Sequence, residues 1–288
     1  FVPELPGEWA GGLIQVNTKD VPSKNFFNVQ IGTSANSLIT GKDFLKDKGG
    51  KTDWYGVDDG TRSLPTGYTT KSNFDTSSMA SKTALGKSMS SNWAPVSTTA
   101  KPNLSLQMNG GFAGTLWGKK IGGTFGVSYA NAYKYQDNTN NQNQLSNVGF
   151  SPYVALNDKK YINDVNVGAI AGLSIFLNPL NKISYKAIAN IKTTNDFTQR
   201  AGTVYDRQQL VKGNEFVFNQ NVFFTNQLNG EHSITKDLKF TWNGAFNILD
   251  SYTPDQRRIL YTKSATGTDP YVLNLSNTLS QQSGSRIY

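Results

Sequence analysis

The densest group of side chains that could do chemistry in this sequence is acidic. Asp53, Asp58 and Asp59 lie close together and are followed by Gly60. Oxygen-rich loops can bind calcium, but these residues lack the regular alternate spacing of an EF-hand loop. Asp before Gly is also ordinary turn chemistry. We therefore expect hydrogen bonds that order the loop, keep calcium as the weaker alternative, and predict no other metal and no cofactor.

Other residues give little support for an enzyme. The chain has no cysteine, which excludes a thiolate nucleophile and a thiolate metal site. His232 is the single histidine, whereas a zinc site would need three further ligands. Gly11 and Gly12 lack the spacing of phosphate-binding loops and instead indicate a tight entry to a strand. We predict that the protein is not an enzyme and that His232 is hydrogen-bonded beside a turn.

Alternation of apolar and polar residues with a period of two dominates the sequence and predicts amphipathic strands. These stretches persist for roughly ten residues or more, against about five or six in most soluble strands. No comparable helical stretch appears, and no apolar run approaches the roughly 18–20 residues of a membrane helix. The predicted strands cover residues 27–35, 104–116, 121–133, 165–177, 183–191, 216–228 and 238–248.

The strand length favours an all-β fold, an antiparallel transmembrane β-barrel. A strand of about 11 residues tilted near 45° spans about 25 Å, the height of the apolar band of an outer-membrane barrel. The polar positions carry Asn, Gln, Lys and Ser, which suit a wet lumen. A soluble β-sandwich with one solvated face is the alternative. Aromatic residues near the strand ends fit interfacial girdles, although each could also be a core residue: Phe26, Phe27, Trp117, Tyr133, Tyr135, Tyr161, Trp242 and Tyr252.

The predicted connections alternate between short and long. Short turns are expected at Gly118–Lys120, Asn178–Asn181 and Ser233–Asp237, and long connections at 41–102, 136–160, 194–215 and 250–288. Short periplasmic turns and long external loops are typical of outer-membrane barrels. Seven strands cannot close such a barrel, because open edges in lipid are costly, so we expect further strands from this chain or from a partner.

The charge pattern does not favour nucleic acid. The chain carries a formal charge of +8, but its basic residues are spread without a compact stripe or a recognisable binding motif. Lys182, Lys186 and Lys192 share the polar side of one predicted strand and would face the lumen. Pairing with carboxylates of a plug is favoured there over attraction of anionic solutes, since buried charges need partners. Arg257–Arg258 falls in a predicted external segment, where lipopolysaccharide would be an anionic partner.

Several segments resemble one family. Residues 1–20, with Gly11-Gly12, an alternating Ile/Val strand and Thr18-Lys19, resemble the end of the plug domain of TonB-dependent outer-membrane receptors. Residues 42–65 look like the first external loop of Bacteroidota-type receptors related to the SusC-type nutrient importers. Residues 226–232 and 254–258 are similar to later barrel segments of the same group. Gly11, Gly12, Thr18 and Lys19 would form the junction between plug and barrel.

This resemblance implies a 22-stranded barrel in the outer membrane that imports a bulky nutrient past an N-terminal plug. Residues 1–22 would be the end of the plug, and residues 23–288 the first part of the wall, with about seven strands. The partners implied are TonB, through a plug region outside this chain, a SusD-like surface lipoprotein as lid, lipid and lipopolysaccharide. The alternative function is a receptor-like barrel that serves as a structural scaffold subunit, or an assembly intermediate, of a larger outer-membrane complex.

Overall fold

A computed structural model describes residues 21–68, 70–89, 92–274 and 279–287. Its strands are β1 (Phe26–Ser34), β2 (Asp43–Lys46), β3 (Val96–Thr99), β4 (Asn103–Leu116), β5 (Lys119–Ser146), β6 (Gly149–Asn178), β7 (Asn181–Val204), β8 (Gln209–Ser233), β9 (Lys239–Ser264), β10 (Val272–Leu273) and β11 (Leu279–Ile287). Three short helical elements lie between β2 and β3: the 3₁₀ turn Asp53–Tyr55, α1 (Lys71–Thr76) and α2 (Met79–Ser88).

The long strands form one open antiparallel sheet in the order β1-β4-β5-β6-β7-β8-β9, and both β10 and β11 pair with β9. The strands β2 and β3 form a separate hairpin. The all-β, antiparallel character predicted from the alternation is therefore confirmed. In the described part of the chain, none of the helices combines the length and apolar character needed to cross a membrane.

All seven predicted strands are present, and the three predicted short turns are confirmed. At the first of them β4 ends at Leu116 and β5 begins at Lys119. Trp117 and Gly118 between them have φ angles of 49° and 71°. Two central residues with positive φ make a type I′ turn, whose twist matches that of the flanking strands.

The predicted connections at 136–160, 194–215 and 250–288 are wrong in their local structure. The strands run on, so that only residues 147–148 and 205–208 separate β5 from β6 and β7 from β8, and β9 continues to Ser264. The side-chain alternation fades in these extensions, but each extended strand finds backbone hydrogen-bond partners on its neighbour, and the ladder therefore continues. Of the predicted long connections, only 41–102 is not made mainly of sheet strands.

The two short α-helices in that connection were not predicted. They begin at hydroxyl N-caps: the Thr70 side chain accepts a hydrogen bond from the Asn73 N–H, and the Ser78 side chain accepts one from the Ser81 N–H. Ser and Thr at this position satisfy amide groups that have no partner within the helix. The Ser/Thr-rich composition, which indicates a loop, also supplies these caps.

The strand register separates two faces of the sheet. Residues opposite one another across neighbouring strands point to the same side. One side, the apolar face, includes a row of seven registered residues: Val29, Met108, Val127, Ala169, Ala189, Phe224 and Ile248. The other side, the polar face, includes the row Gly32, Ser105, Ala130, Asn166, Lys192, Asn221 and Ser251.

The half of the apolar face next to the short turns is uncovered. Leu173 and Phe240 are 51% and 53% exposed, and Val167 and Trp242 are half-buried, so none of these four lies in a dry protein core. We name this half the apolar band. Its exposed members include Phe27, Val29, Met108, Phe112, Leu116, Phe125, Val127, Leu173, Leu177, Tyr185, Leu228, Phe240 and Phe246.

The other half of the apolar face is covered by residues 35–102, which we name the connection. Its buried residues Ile39, Phe44 and Ala100 pack against partly buried tyrosines of β5 and β6. The Phe44 ring meets Tyr133 and Tyr161 edge-on at centroid distances of 5.1 and 5.6 Å. Tyr133, Tyr135 and Tyr161, which the sequence also allowed to be girdle residues, therefore belong to a core, because the connection reaches over them.

Candidate functional site

The polar face carries a groove across β4, β5, β6 and β7. Its volume is about 330 Å³, and its lining includes Gln107, Asn109, Ser128 and Asn190. Gly168 lies on the same side, and a Cβ added there would come within 2.8 Å of the Ser128 Oγ atom. Glycine is needed for this close approach, and the missing side chain helps to keep the groove open.

Amide side chains on this face are bonded to each other across strands. The Asn28 Nδ2 atom donates to the Asn109 Oδ1 atom at 3.2 Å, and the Asn190 Nδ2 atom donates to the Asn166 Oδ1 atom at 3.0 Å. An amide can donate and accept at once. Such a surface can bind uncharged polar groups of a solute or of another chain segment.

The predicted lumen-facing lysines lie together on the polar face. All three lie on the polar side of β7, opposite polar-face residues of β6 and β8: Lys182, Lys186 and Lys192. The carboxylate of Glu231 on β8 binds the Lys182 ammonium at 2.5 Å and the Lys239 ammonium at 2.6 Å. One partner of Lys182 is therefore Glu231 on the neighbouring strand, which sequence reasoning missed because Glu231 becomes its neighbour only through the register.

A second, smaller cavity of about 140 Å³ lies near the far end of β7, β8 and β9. Arg200 and Glu215 contribute to its lining. The Arg200 guanidinium binds Asp158 through two hydrogen bonds of 2.7 and 2.6 Å, and Glu215 accepts a hydrogen bond from the Gln256 amide at 3.0 Å. Both charged groups thus have partners within the sheet.

Arg62 fixes the connection to the sheet from within. Its guanidinium binds Asp53 through two hydrogen bonds of 2.8 and 2.6 Å and Asp58 through one of 3.0 Å. It also lies 3.8 Å from the ring centroid of Phe218 on β8. Burial disfavours the charge of Arg62, but the hydrogen bonds and the charges of the aspartates outweigh it, so the pKa of Arg62 lies above its ordinary value.

Arg257, on β9, binds the same connection. Its side chain is 2% exposed and forms ion pairs with Asp47 at 2.9 Å and Asp255 at 2.7 Å. It also donates a hydrogen bond to the Asn92 carbonyl. Arg257 is therefore not available to lipopolysaccharide, because this guanidinium is buried and occupied. Lipopolysaccharide as a partner of the chain stays a prediction.

A register shift explains how Arg257 reaches the connection. Between β8 and β9 the register changes from Gln220 opposite Tyr252 to Phe218 opposite Asp255, so β9 carries one extra residue in the region of Pro254. A bulge of this kind reverses which positions point to each side, and a bulge is also where a sheet tolerates proline. Regular alternation could not have predicted this reversal.

Asp53, Asp58 and Asp59, the candidate calcium ligands, do not form one site. Asp53 and Asp58 bind Arg62, whereas Asp59 accepts hydrogen bonds from the Lys51 N–H at 2.8 Å and the Thr61 N–H at 3.0 Å. Hydrogen bonds from the Thr61 hydroxyl and from these amides lower the pKa of Asp59 to about 2. Among the described residues no group of three or more His, Asp or Glu is placed to hold a metal, so calcium stays a prediction that this arrangement does not support.

His232 is hydrogen-bonded beside a short turn, as predicted. The Trp242 Nε1–H donates to the His232 Nε2 atom at 3.1 Å, and the His232 Nδ1 atom lies 2.7 Å from the Asn181 Oδ1 atom. Because Nε2 accepts, Nδ1 carries the proton and donates to Asn181. The ring stacks on Phe240 at a centroid distance of 6.3 Å, which makes it part of an aromatic group at the short-turn end.

The predicted junction between plug and barrel, with Gly11, Gly12, Thr18 and Lys19, lies outside the described residues. Comparisons with protein-family models, with curated proteins and with solved structures give no match to this chain. The family resemblance therefore depends on the sequence segments that carry it.

Proposed function

We propose that this chain forms part of the wall of a TonB-dependent outer-membrane receptor, which imports a bulky nutrient through a plugged β-barrel. The observation that carries the proposal is the uncovered apolar band on one face of a long-stranded antiparallel sheet, opposite a face of amides and lysines. In lipid this band would be in its preferred solvent, and the polar face would line the lumen.

The ends of the sheet support this orientation. The uncovered band lies at the end with the short turns, which would be periplasmic. At the other end the strands continue beyond the band and carry the connection, which would be external. The closing strands and the plug are proposed from the resemblance.

The groove on the polar face would be part of the path of the solute. Its amides and hydroxyl group can exchange hydrogen bonds with an uncharged polar solute, and its lining residues include no titratable side chain that could activate the hydroxyl. The proposed role is therefore passage and gating without bond chemistry. TonB would act through plug residues outside this chain.

Solute depletion by living cells tests the proposal. A parent strain, a strain without the full-length gene and a strain without TonB would be grown on the same rich medium, and the spent media compared by mass spectrometry. We expect at least one solute to remain undepleted in both deletion strains. Equal depletion in all three strains would overturn the import function.

The same strains distinguish the scaffold function. If depletion is equal but the protein co-purifies in detergent with other outer-membrane subunits, the scaffold function replaces import. Extraction of the full-length protein without detergent would contradict both membrane functions and favour a soluble sandwich.

A further inference from the structure

We propose that Trp54 and Trp117 are the two interfacial anchors of the apolar band, with Trp54 supplied by the connection instead of a strand. The partner of this surface is lipid, with each indole at the level of the glycerol and headgroup region. The inference rests on the proposed function and deepens it, since it sets the two depth limits of the lipid contact.

Trp54 lies at the boundary between the covered and uncovered halves of the apolar face. The Tyr129 hydroxyl donates to the Trp54 carbonyl at 2.7 Å, and the Thr193 hydroxyl donates to the Gly56 carbonyl at 2.6 Å. These two bonds attach the 3₁₀ turn to β5 and β7. Yet the Trp54 side chain remains 64% exposed, immediately beside the first uncovered residues, such as Val127.

Trp117 marks the opposite limit of the band. It lies in the type I′ turn between β4 and β5 and is 87% exposed. Trp117 therefore lies on a turn, and Trp54 lies on a segment held to the sheet by two side-chain hydroxyl groups. Tryptophan prefers the membrane interface, because its ring is apolar while its N–H seeks a polar partner.

The separation of the two residues fits a bilayer. Lys119 directly follows the Trp117–Gly118 turn, and Tyr129, which bonds to Trp54, lies ten residues further along β5. Ten residues of a strand extend about 33 Å, which at a tilt of roughly 40° corresponds to about 25 Å along the membrane normal. This length equals the height of the apolar band of an outer-membrane barrel. It follows from the length of β5 between the Trp117–Gly118 turn and the hydrogen bond of Tyr129 to Trp54.

The position of Trp54 also explains why the connection stops where it does. The connection covers the apolar face beyond Tyr129 and leaves uncovered the residues on the short-turn side of it. If the connection extended closer to the short turns, it would cover apolar residues that otherwise face lipid. If it ended further from the short turns, Val165 and Phe197 would be exposed to water. The edge of the connection therefore coincides with the proposed surface of the bilayer.

Depth-dependent fluorescence quenching tests this proposal. The full-length polypeptide would be folded into phosphatidylcholine vesicles whose acyl chains are brominated either near the glycerol or near the terminal methyl group. We expect Trp54→Phe and Trp117→Phe each to remove a component of emission that shallow bromine quenches strongly and deep bromine quenches weakly. Trp93→Phe is the matched control in the connection, and it should remove only emission that neither lipid quenches.

Each outcome separates the anchor from the function. If Trp54→Phe leaves shallow quenching unchanged while Trp117→Phe reduces it, the anchor role of Trp54 is wrong and the membrane wall stands. If the parent emission is quenched but neither substitution reduces the quenching, both anchor roles are wrong and the membrane wall stands. If neither lipid quenches any emission of the parent protein, which includes Trp242 of the band, the band is not in lipid and the proposed function fails with it. Trp54→Tyr, checked for the heat-dependent gel mobility of a folded barrel, repeats the measurement should Trp54→Phe fold poorly.

Discussion

The two halves of the apolar face are formed by the same long strands and have opposite surroundings. Near the short turns, Val127 and Leu173 are about half exposed, whereas further along the same face Val165, Phe197 and Phe216 are almost fully buried. The difference arises from the connection, which reaches only the second half. An amphipathic strand therefore indicates which of its sides is apolar, but it does not indicate which segment or solvent covers that side.

The polar groups of the two halves differ as well. Under the connection, the guanidinium groups of Arg62 and Arg257 are buried beside phenylalanine rings and aspartates. In the band, Tyr185 and Asn226 satisfy each other through a hydrogen bond of 2.5 Å. Ion pairs thus attach the connection to the covered half, whereas in the uncovered half Tyr185 and Asn226 are hydrogen-bonded to each other. Three substitutions and a change of pH test this difference.

Arg257→Ala should have the largest effect and should act only on the covered half. Removing one partner of a buried ion pair costs about 3–5 kcal/mol, and here it takes the nearest cation from Asp47 and the ion-pair partner from Asp255. We expect the connection to detach and to become sensitive to protease around α1 and α2. Limited proteolysis with mass mapping would measure this.

The control for that change is Lys71→Ala. The Lys71–Asp75 pair is exposed, and pairs of this kind contribute about 0.5 kcal/mol or less. An Arg257→Ala variant as resistant to protease as Lys71→Ala would contradict the role of Arg257 as the tie between β9 and the connection.

Leu173→Arg should act on the uncovered half. An arginine in the middle of a lipid-facing band costs about 2–4 kcal/mol, and we expect a corresponding drop in the free energy of unfolding in vesicles, measured by urea titration. Asn243→Arg on the exposed polar face of β9, opposite Asn229, is the control, for which a surface change of about 0.5 kcal/mol or less is expected. Equal effects of the two substitutions would argue against lipid on either face.

Thr193→Val should loosen the boundary between the halves by a smaller amount. The buried Thr193 hydroxyl binds the Gly56 carbonyl, and leaving that carbonyl without its partner costs about 1–2 kcal/mol. Faster hydrogen exchange of the amides around the 3₁₀ turn would report the loss. Thr241→Val, on the exposed polar face of β9, should leave that exchange as it is; an identical response in both variants would contradict the contact.

Acid should give the smallest effect, at the loop of Asp59. Its pKa is lowered to about 2 from an ordinary 3.8. The stabilisation is therefore complete above the ordinary value and is lost as pH falls towards 2. Pepsin, which works at these pH values, should cleave Asp59→Asn faster than the parent near pH 4 and at the same rate near pH 2. A constant ratio of rates across that range would contradict the prediction.

The strands that alternate most regularly could be predicted from the sequence, and their extensions could not. Residues 121–133 and 165–177 show apolar residues at most alternate positions, and both are strands. Residues 136–146 are mostly Asn, Gln and other polar residues, which indicates a loop, yet they pair with β6. In this segment, backbone pairing with β6 determines the structure. A local sequence pattern does not show which strand will lie beside it.

The residues of the connection show the same limit. Asp53 and Asp58 stand out as acidic residues, but their partner Arg62 lies nine and four positions away. The spacing of four between Asp58 and Arg62 would indicate a contact on a helix, whereas here the two residues meet in a loop. The meeting of Asp47 with Arg257 depends on contacts across more than two hundred positions and on a bulge near Pro254. Such pairs arise only when the chain is folded.

The sequence by itself determined the strand type, the two faces and the short turns, because alternation and turn residues act over a few neighbouring positions. The tertiary structure decided how far the strands extend, which half of the apolar face the connection covers, and that Arg257 is buried. Those properties depend on register, on a one-residue bulge and on contacts between distant segments, and their free energies are set only when the segments meet.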